Sequence, residues 1–241
     1  MIYKNNYKIG MEDIGKNSQA TDRALMAIME DVACAHSASV GYGVLEVETK
    51  KRAWVLLDWQ IKIYNRPKYG TEIEAYTWSR EMDRLCAYRD FELKSESGQI
   101  FAAGTSRWLL TDTEKRRPVR LTEDIVGLYK SENKHVFENG MDKLEFSENK
   151  LKEAQEYVYH VQRRDIDINS HMHNINYLDA AYEVLPQEVY ENAEFSEIRI
   201  QYKKELKPED TVICRYFEDK GAYFVVMLVD DKIHSVVALA Q

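Results

Sequence analysis

Apolar and polar positions run through the same succession twice: a short strand, a polar loop, a helix, then alternating strands. Residues 3–9 read as the first strand, and the polar loop at 12–21 holds Asp13 and Asn17. Asp22 opens the helix that follows. Its Leu25, Ile28, Met29, Val32 and Ala33 share one stripe at helical spacing, and Gly41 and Gly43 mark the stop. Residues 54–64, 71–80, 85–93 and 100–110 carry strand patterns, with turns at 67–70 and at Ser95-Glu96-Ser97-Gly98. Within the second of these strands, Ile73, Ala75, Thr77 and Ser79 oppose Glu72, Glu74, Tyr76 and Trp78.

The second half is terser. Residues 156–163 are a strand, 164–173 a polar loop, and 175–185 a helix ended before Pro186. Strands are expected at 196–206 and 211–218, joined by a turn at Lys207-Pro208-Glu209-Asp210. A last hairpin is expected over 223–229 and 232–240. Each helix is too apolar to stand alone, which points to burial inside a sheet. The pattern therefore predicts an α+β double hotdog: two tandem repeats, each an antiparallel sheet wrapped around a long central helix. The boundaries expected are 1–118 for the N-terminal repeat, 119–150 for a charged linker and 151–241 for the C-terminal repeat.

Composition narrows the function classes. A hydrophobic share of 44% over 241 residues is enough for a packed core, and 16 Tyr with 4 Trp suit sheets with a wet face or an amphipathic channel. A formal charge of −8 argues against a general nucleic-acid binder. Cys34, Cys86 and Cys214 lack disulfide or zinc spacing, which suits a reducing, cytoplasmic setting. The first ten residues have no apolar signal core, and no apolar run of membrane-spanning length exists. The histidines lack a partner set for a metal, so neither metal nor cofactor is expected.

The chemistry concentrates in one run, Arg163-Arg164-Asp165-Ile166-Asp167-Ile168-Asn169-Ser170-His171-Met172-His173-Asn174-Ile175-Asn176-Tyr177. It sets a carboxylate, a carboxamide and an imidazole two residues apart ahead of a helix. Such a cluster is costly to bury unless it is fully hydrogen-bonded or reactive. Each residue alone has an ordinary reading: Asp167, Asn169 or Ser170 as a helix cap, His171 as a surface or core histidine, and Glu205 as a solvated strand residue among Lys203, Lys204 and Lys207.

Four pieces together give the chain a resemblance to the acyl-acyl-carrier-protein thioesterases of plants and their bacterial relatives. They are the run above, Ile200-Gln201-Tyr202-Lys203-Lys204-Glu205, the stretch 58–78, and Thr105-Ser106-Arg107-Trp108-Leu109-Leu110 with Lys115-Arg116-Arg117-Pro118. The resemblance implies hydrolysis of fatty acyl-carrier thioesters to free fatty acid, with Asp167, Asn169, His171 and Glu205 handling water. Many plant members carry a Cys directly after that Glu; here Leu206 holds the position, and Cys214 does not match it.

On this reading Glu205 and His171 polarise water, and Asp167 either orients the pair or attacks the carbonyl itself. Backbone N–H groups of His173 and Asn174 are expected to receive the oxyanion. Arg163, Arg164, Lys203, Lys204 and Lys207 would steer an acidic acyl carrier protein bearing phosphopantetheine. The N-terminal repeat lacks a histidine in its loop. It is expected to have lost catalysis and to line an acyl tunnel with Met26, Met29, Ala33, Trp54, Leu56 and Trp108, although core packing accounts equally well for any one of these. An acyl-CoA thioesterase on the same scaffold, or an acyl-thioester sensor without catalysis, is the alternative. Whether two chains form a homodimer stays open.

Overall fold

Each half of the repeated pattern folds into an antiparallel sheet packed on a helix. This is the double hotdog architecture. The computed structural model describes residues 1–138, 140–141 and 143–241. Residues 1–57 and 61–141 form one unit, and residues 58–60 and 142–241 the other. The segment read as a linker divides between them, and its positions 139 and 142 lie outside the described residues.

Apart from residues 58–60 of β2, the first unit contains β1 (Ile2–Lys8), α1 (Asp22–Ser39), α2 (Val47–Lys50), β2 (Arg52–Ile63), β3 (Glu72–Met82), β4 (Cys86–Lys94), β5 (Ile100–Asp112), the two-residue β6 (Arg117–Pro118) and α3 (Glu123–Tyr129). Its strands lie in the order β1-β3-β4-β5-β2, with β6 beside β5. Thr21 caps α1 by accepting the Ala24 N–H at 3.1 Å, an interaction worth about 1 kcal/mol. Asp22 in the first turn pairs with Arg66 at 2.5 Å. Leu25, Met26, Met29 and Val32 are wholly buried. At roughly 1.5–3 kcal/mol each, they dominate the attachment of α1.

The alternation expected along β3 holds from Ile73 to Thr77 and then fails, because Trp78 and Arg80 are buried too. The cause is the segment after α3. It crosses the outer face of β3, where Trp78 Nε1 donates to the Lys134 carbonyl at 2.8 Å and the Lys134 ammonium sits 4.3 Å from the indole centre.

The second unit contains α4 (Glu148–Lys152), β7 (Gln155–His160), α5 (Asn176–Glu183), α6 (Gln187–Asn192), β8 (Glu197–Tyr202), β9 (Thr211–Asp219), β10 (Ala222–Val229) and β11 (Lys232–Ala240), with strands in the order β8-β11-β10-β9-β7. Leu144, Phe146, Leu151 and Ala154 pack onto Phe217, Phe224, Val226, Leu228, Val236 and Ala238. The run Phe224 to Leu228 is accordingly buried on both faces of its strand and does not alternate. Three expected elements end early by two residues or more; the strand read over 156–163 closes at His160. The helix read over 175–185 closes at Glu183, and the strand read over 196–206 closes at Tyr202. There the N–H groups of Lys203 and Lys204 both turn to the His234 carbonyl, at 2.8 and 3.1 Å, which ends the ladder and leaves Glu205 off the strand.

Candidate active site

The loop before α5 is organised by two aspartates with different tasks. Asp165 is buried. Its carboxylate accepts the Gln162 N–H and the Tyr159 hydroxyl, both at 2.7 Å, while its carbonyl accepts the His173 N–H at 2.7 Å and the Asn176 amide at 3.1 Å. Asp167 is half-buried and faces the loop's own backbone. One carboxylate oxygen accepts the N–H of Asn169 at 2.8 Å and of His171 at 3.2 Å; the other accepts Asn169 Nδ2 at 3.1 Å. The Asp167 N–H donates to the His171 carbonyl at 2.8 Å, and Ser170 takes a positive φ of 61° to close the turn.

This tight turn fixes the backbone of His171 and leaves its ring at the surface. Nε2 lies 3.8 Å from Glu205 Oε1, with the two side chains 35% and 48% exposed. That separation is too long for a direct hydrogen bond and short enough for a water to touch both, since each contact needs about 2.8 Å. Asp167, Asn169 and His171 are thus one hydrogen-bonded loop, and Glu205 reaches its imidazole from the segment after β8.

The expected oxyanion donors need correction at one position. The His173 N–H is spent on the Asp165 carbonyl. Asn174 uses its carbonyl to accept the Tyr202 hydroxyl at 2.8 Å. The next residue, Ile175, has an N–H that meets no acceptor among the described residues. Arg163, Arg164, Lys203, Lys204 and Lys207 are all exposed. Cys214 is buried, and burial pushes its thiol up to about 12, so it is a poor source of thiolate.

The tunnel candidates lie in the first unit, where Trp54 and Trp108 are half-buried. Met26, Met29, Ala33 and Leu56 are buried there. Trp54 donates to the Tyr129 hydroxyl at 2.9 Å beside the cluster of Ala87, Leu110 and Leu121, and Trp108 donates to Ser106 at 2.6 Å. Among the described residues no three His, Cys, Asp or Glu side chains converge as metal ligands.

The loop before α1 has the same skeleton. The Asp13 carboxylate accepts the Gly10 N–H at 2.7 Å, as Asp165 accepts Gln162, and Asp13's carbonyl accepts the Thr21 N–H at 2.9 Å. Gly15 N–H donates to the Gln19 carbonyl at 2.9 Å, Ser18 has a φ of 56°, and the bridge Ile14–Ala20 matches Ile166–Met172. The Ala20 N–H donates to the Pro67 carbonyl at 2.7 Å, as Met172 does to Leu206 at 2.8 Å. Position for position, Gly15 stands for Asp167, Asn17 for Asn169, Gln19 for His171 and Arg66 for Glu205. The first copy keeps the amide and lacks the acid–base groups. The missing histidine is legible in the sequence, whereas this register is not, because only the backbone hydrogen bonds reveal it.

Comparison with known proteins bears on the family and the fold. Residues 1–129 match the Acyl-ACP thioesterase N-terminal domain and residues 148–231 the Acyl-ACP thioesterase C-terminal domain. Among curated proteins, oleoyl-acyl carrier protein thioesterase 1 of Arabidopsis thaliana is 27% identical over 231 residues, covering 88% of this chain and 62% of that protein. The palmitoyl-acyl carrier protein thioesterase of Gossypium hirsutum is 26% identical, covering 85% and 52%. The chain thus spans between half and two thirds of these relatives' length. Among solved structures, an acyl-ACP thioesterase from Bacteroides thetaiotaomicron superposes with a TM-score of 0.86 at 19% identity, covering 99% of this chain and 97% of that one. A 12:0-ACP thioesterase from Umbellularia californica gives 0.86 at 19%, covering 99% and 96%. With both of its halves matched in order, the chain belongs to the acyl-ACP thioesterase family.

Proposed function

We propose that the chain hydrolyses fatty acyl thioesters carried on acyl carrier protein, releasing free fatty acid and the carrier thiol. The carrying observation is the His171–Glu205 pair, 3.8 Å apart on a loop skeleton whose other copy has Gln19 and Arg66 instead. Family membership and the curated relatives' stated activity support the same reading.

In the mechanism that fits this geometry, a water between the two side chains loses its proton to the His171–Glu205 pair as its oxygen attacks the thioester carbonyl carbon. The carbonyl oxygen gains charge opposite the Ile175 N–H at the entry to α5, where N–H groups and the helix dipole favour an anion. When the tetrahedral intermediate collapses, the carbon–sulfur bond breaks. The proton held by His171 passes to the departing thiolate, and the acyl group leaves as the acid. Asp167 acts in this scheme by shape. Its oxygens accept three hydrogen bonds from Asn169 and His171. That engagement lowers its nucleophilicity and favours the orienting role over direct attack. Exposed Arg163, Arg164, Lys203, Lys204 and Lys207 supply positive charge for an acidic carrier.

The test is turnover of one acyl chain presented on carrier protein, on coenzyme A and on pantetheine alone. Higher kcat/KM on the carrier supports the proposal. Preference for coenzyme A reassigns the substrate, and binding without turnover on all three makes the chain a sensor.

A further inference from the structure

Glu205 projects from an irregular segment, yet the backbone is tied down on both sides of it. The Lys203 and Lys204 N–H groups donate to the His234 carbonyl. The Glu205 carbonyl lies 3.1 Å from His234 Nδ1. A carbonyl only accepts, so the His234 proton resides on Nδ1. The Leu206 N–H donates to the Tyr177 hydroxyl at 2.9 Å, and the Leu206 carbonyl accepts the Met172 N–H at 2.8 Å. His234, Tyr177 and Leu206 are all buried. Tyr177 is further fixed edge-on to Tyr202 with ring centres 5.2 Å apart.

The first unit supplies an internal control. There the N–H groups of Tyr64 and Asn65 share the Phe101 carbonyl, at 2.8 and 3.1 Å, as Lys203 and Lys204 share that of His234. Phe101 therefore stands where His234 stands, and its side chain has no donor for the Arg66 carbonyl. Leu25 stands at the helix position of Tyr177. Pro67 stands at that of Leu206 and has no N–H to satisfy. Both polar ties are thus present in the copy that carries Glu205 and absent from the copy that carries Arg66.

We propose that His234 and Tyr177 are positioning residues. They hold the Glu205–Leu206 peptide from its two sides, so that the half-exposed carboxylate of Glu205 stays against His171. This rests on the hydrolase reading for its kinetic consequence and on hydrogen bonding alone for its geometry. Burial lowers the affinity of the His234 ring for a second proton, which keeps it the neutral Nδ1–H donor the clamp requires.

Two measurements test the proposal. Long-range proton–nitrogen NMR on the wild-type protein reads the tautomer of His234. A proton on Nδ1 is expected, and a proton on Nε2 overturns the clamp whether or not the protein turns over any thioester. In steady-state kinetics on an acyl-carrier substrate, His234→Phe, which installs the first unit's residue, is expected to lower kcat ten- to a hundredfold with KM within about threefold of wild type. His234→Asn, whose side-chain N–H replaces Nδ1–H, is expected to recover most of that loss, and Tyr177→Phe to lower kcat several-fold. A folded His234→Phe protein with wild-type kcat, or an Asn variant no better than the Phe one, refutes the positioning role. A wild type inactive on every acyl thioester refutes the hydrolase reading, and the tautomer measurement still decides the clamp.

Discussion

The imidazole of His171 and the carboxylate of Glu205 stand 3.8 Å apart although 34 positions separate them in sequence, and neither is held in that place by its own side chain. The loop turn fixes one and the segment after β8 fixes the other. Replacing either with its neutral isostere keeps the backbone and removes the chemistry. Glu205→Gln and His171→Gln are each expected to lower kcat by about 10²–10⁴-fold, the usual yield of a positioned acid–base group. KM should change little, because neither group is asked to bind the acyl chain. A Glu205→Gln protein within threefold of wild type would remove Glu205 from the reaction.

Asp167 allows a sharper distinction. A single-turnover reaction in water enriched in oxygen-18 separates direct water attack from an anhydride on Asp167 that water opens at the Asp167 carbonyl. With Asp167 as an orienter, the fatty acid released in the first turnover carries the label. An unlabelled acid together with label in Asp167 would establish the anhydride route. Asp167→Ala should also loosen the turn. Three hydrogen bonds vanish, and at roughly 1 kcal/mol each, discounted for exposure, the melting temperature should fall by several degrees.

The carbon skeleton of the fold was legible in sequence because periodicity records which face of a strand or helix is buried. Leu25, Met29 and Val32 announce α1, and the hairpin at Asp230-Asp231 announces β10 and β11. Coverage by irregular chain was not legible. Nothing in Trp78 or Arg80 says that the segment near Lys134 will lie over them, and nothing in Val226 says that Phe146 and its neighbours will close the far face. The site divides the same way. Asp167, Asn169 and His171 are close in sequence and were found by spacing. Glu205 was paired with them by family resemblance. His234 and Tyr177, which act on Glu205 through its peptide, leave no spacing signal. Their hydrogen bonds join positions 29 residues apart.

The exposed cations should govern encounter more than chemistry. Lys203→Glu with Lys207→Glu is expected to raise KM for a carrier-borne substrate several-fold and to flatten its dependence on salt. Turnover of the same acyl group on pantetheine alone, which presents no acidic surface, should stay within about twofold of wild type. Equal losses on both substrates would show that these lysines act on the site and not on the carrier.

The first unit contains a buried cation with no carboxylate beside it among the described residues. Arg89 is paired with His36 instead: Nη1 donates to Nδ1 at 2.8 Å and to the Thr77 hydroxyl at 3.2 Å, with the guanidinium 5.7 Å from the centre of the Tyr129 ring. His36 is wholly buried, stacked on Tyr3 with ring centres 5.4 Å apart. Because it must accept from a cation, it must stay neutral. Burial, aided by the Arg89 charge, pushes its pKa down from the ordinary 6.5 to about 3. The sign follows from linkage. Between those two values the unfolded chain binds a proton at this histidine and the folded protein does not, so stability is fully present above pH 6.5 and is lost as pH falls. The loss is about 1.4 kcal/mol per pH unit, and it starts above the range where carboxylates titrate. His36→Gln keeps an acceptor for Arg89 and removes the titration. It is expected to unfold in denaturant with a midpoint that falls less between pH 6.5 and 5 than the wild-type midpoint does, the remaining fall coming from the buried His234. Parallel midpoints for the two proteins across that window would show that His36 does not set the acid sensitivity of the fold.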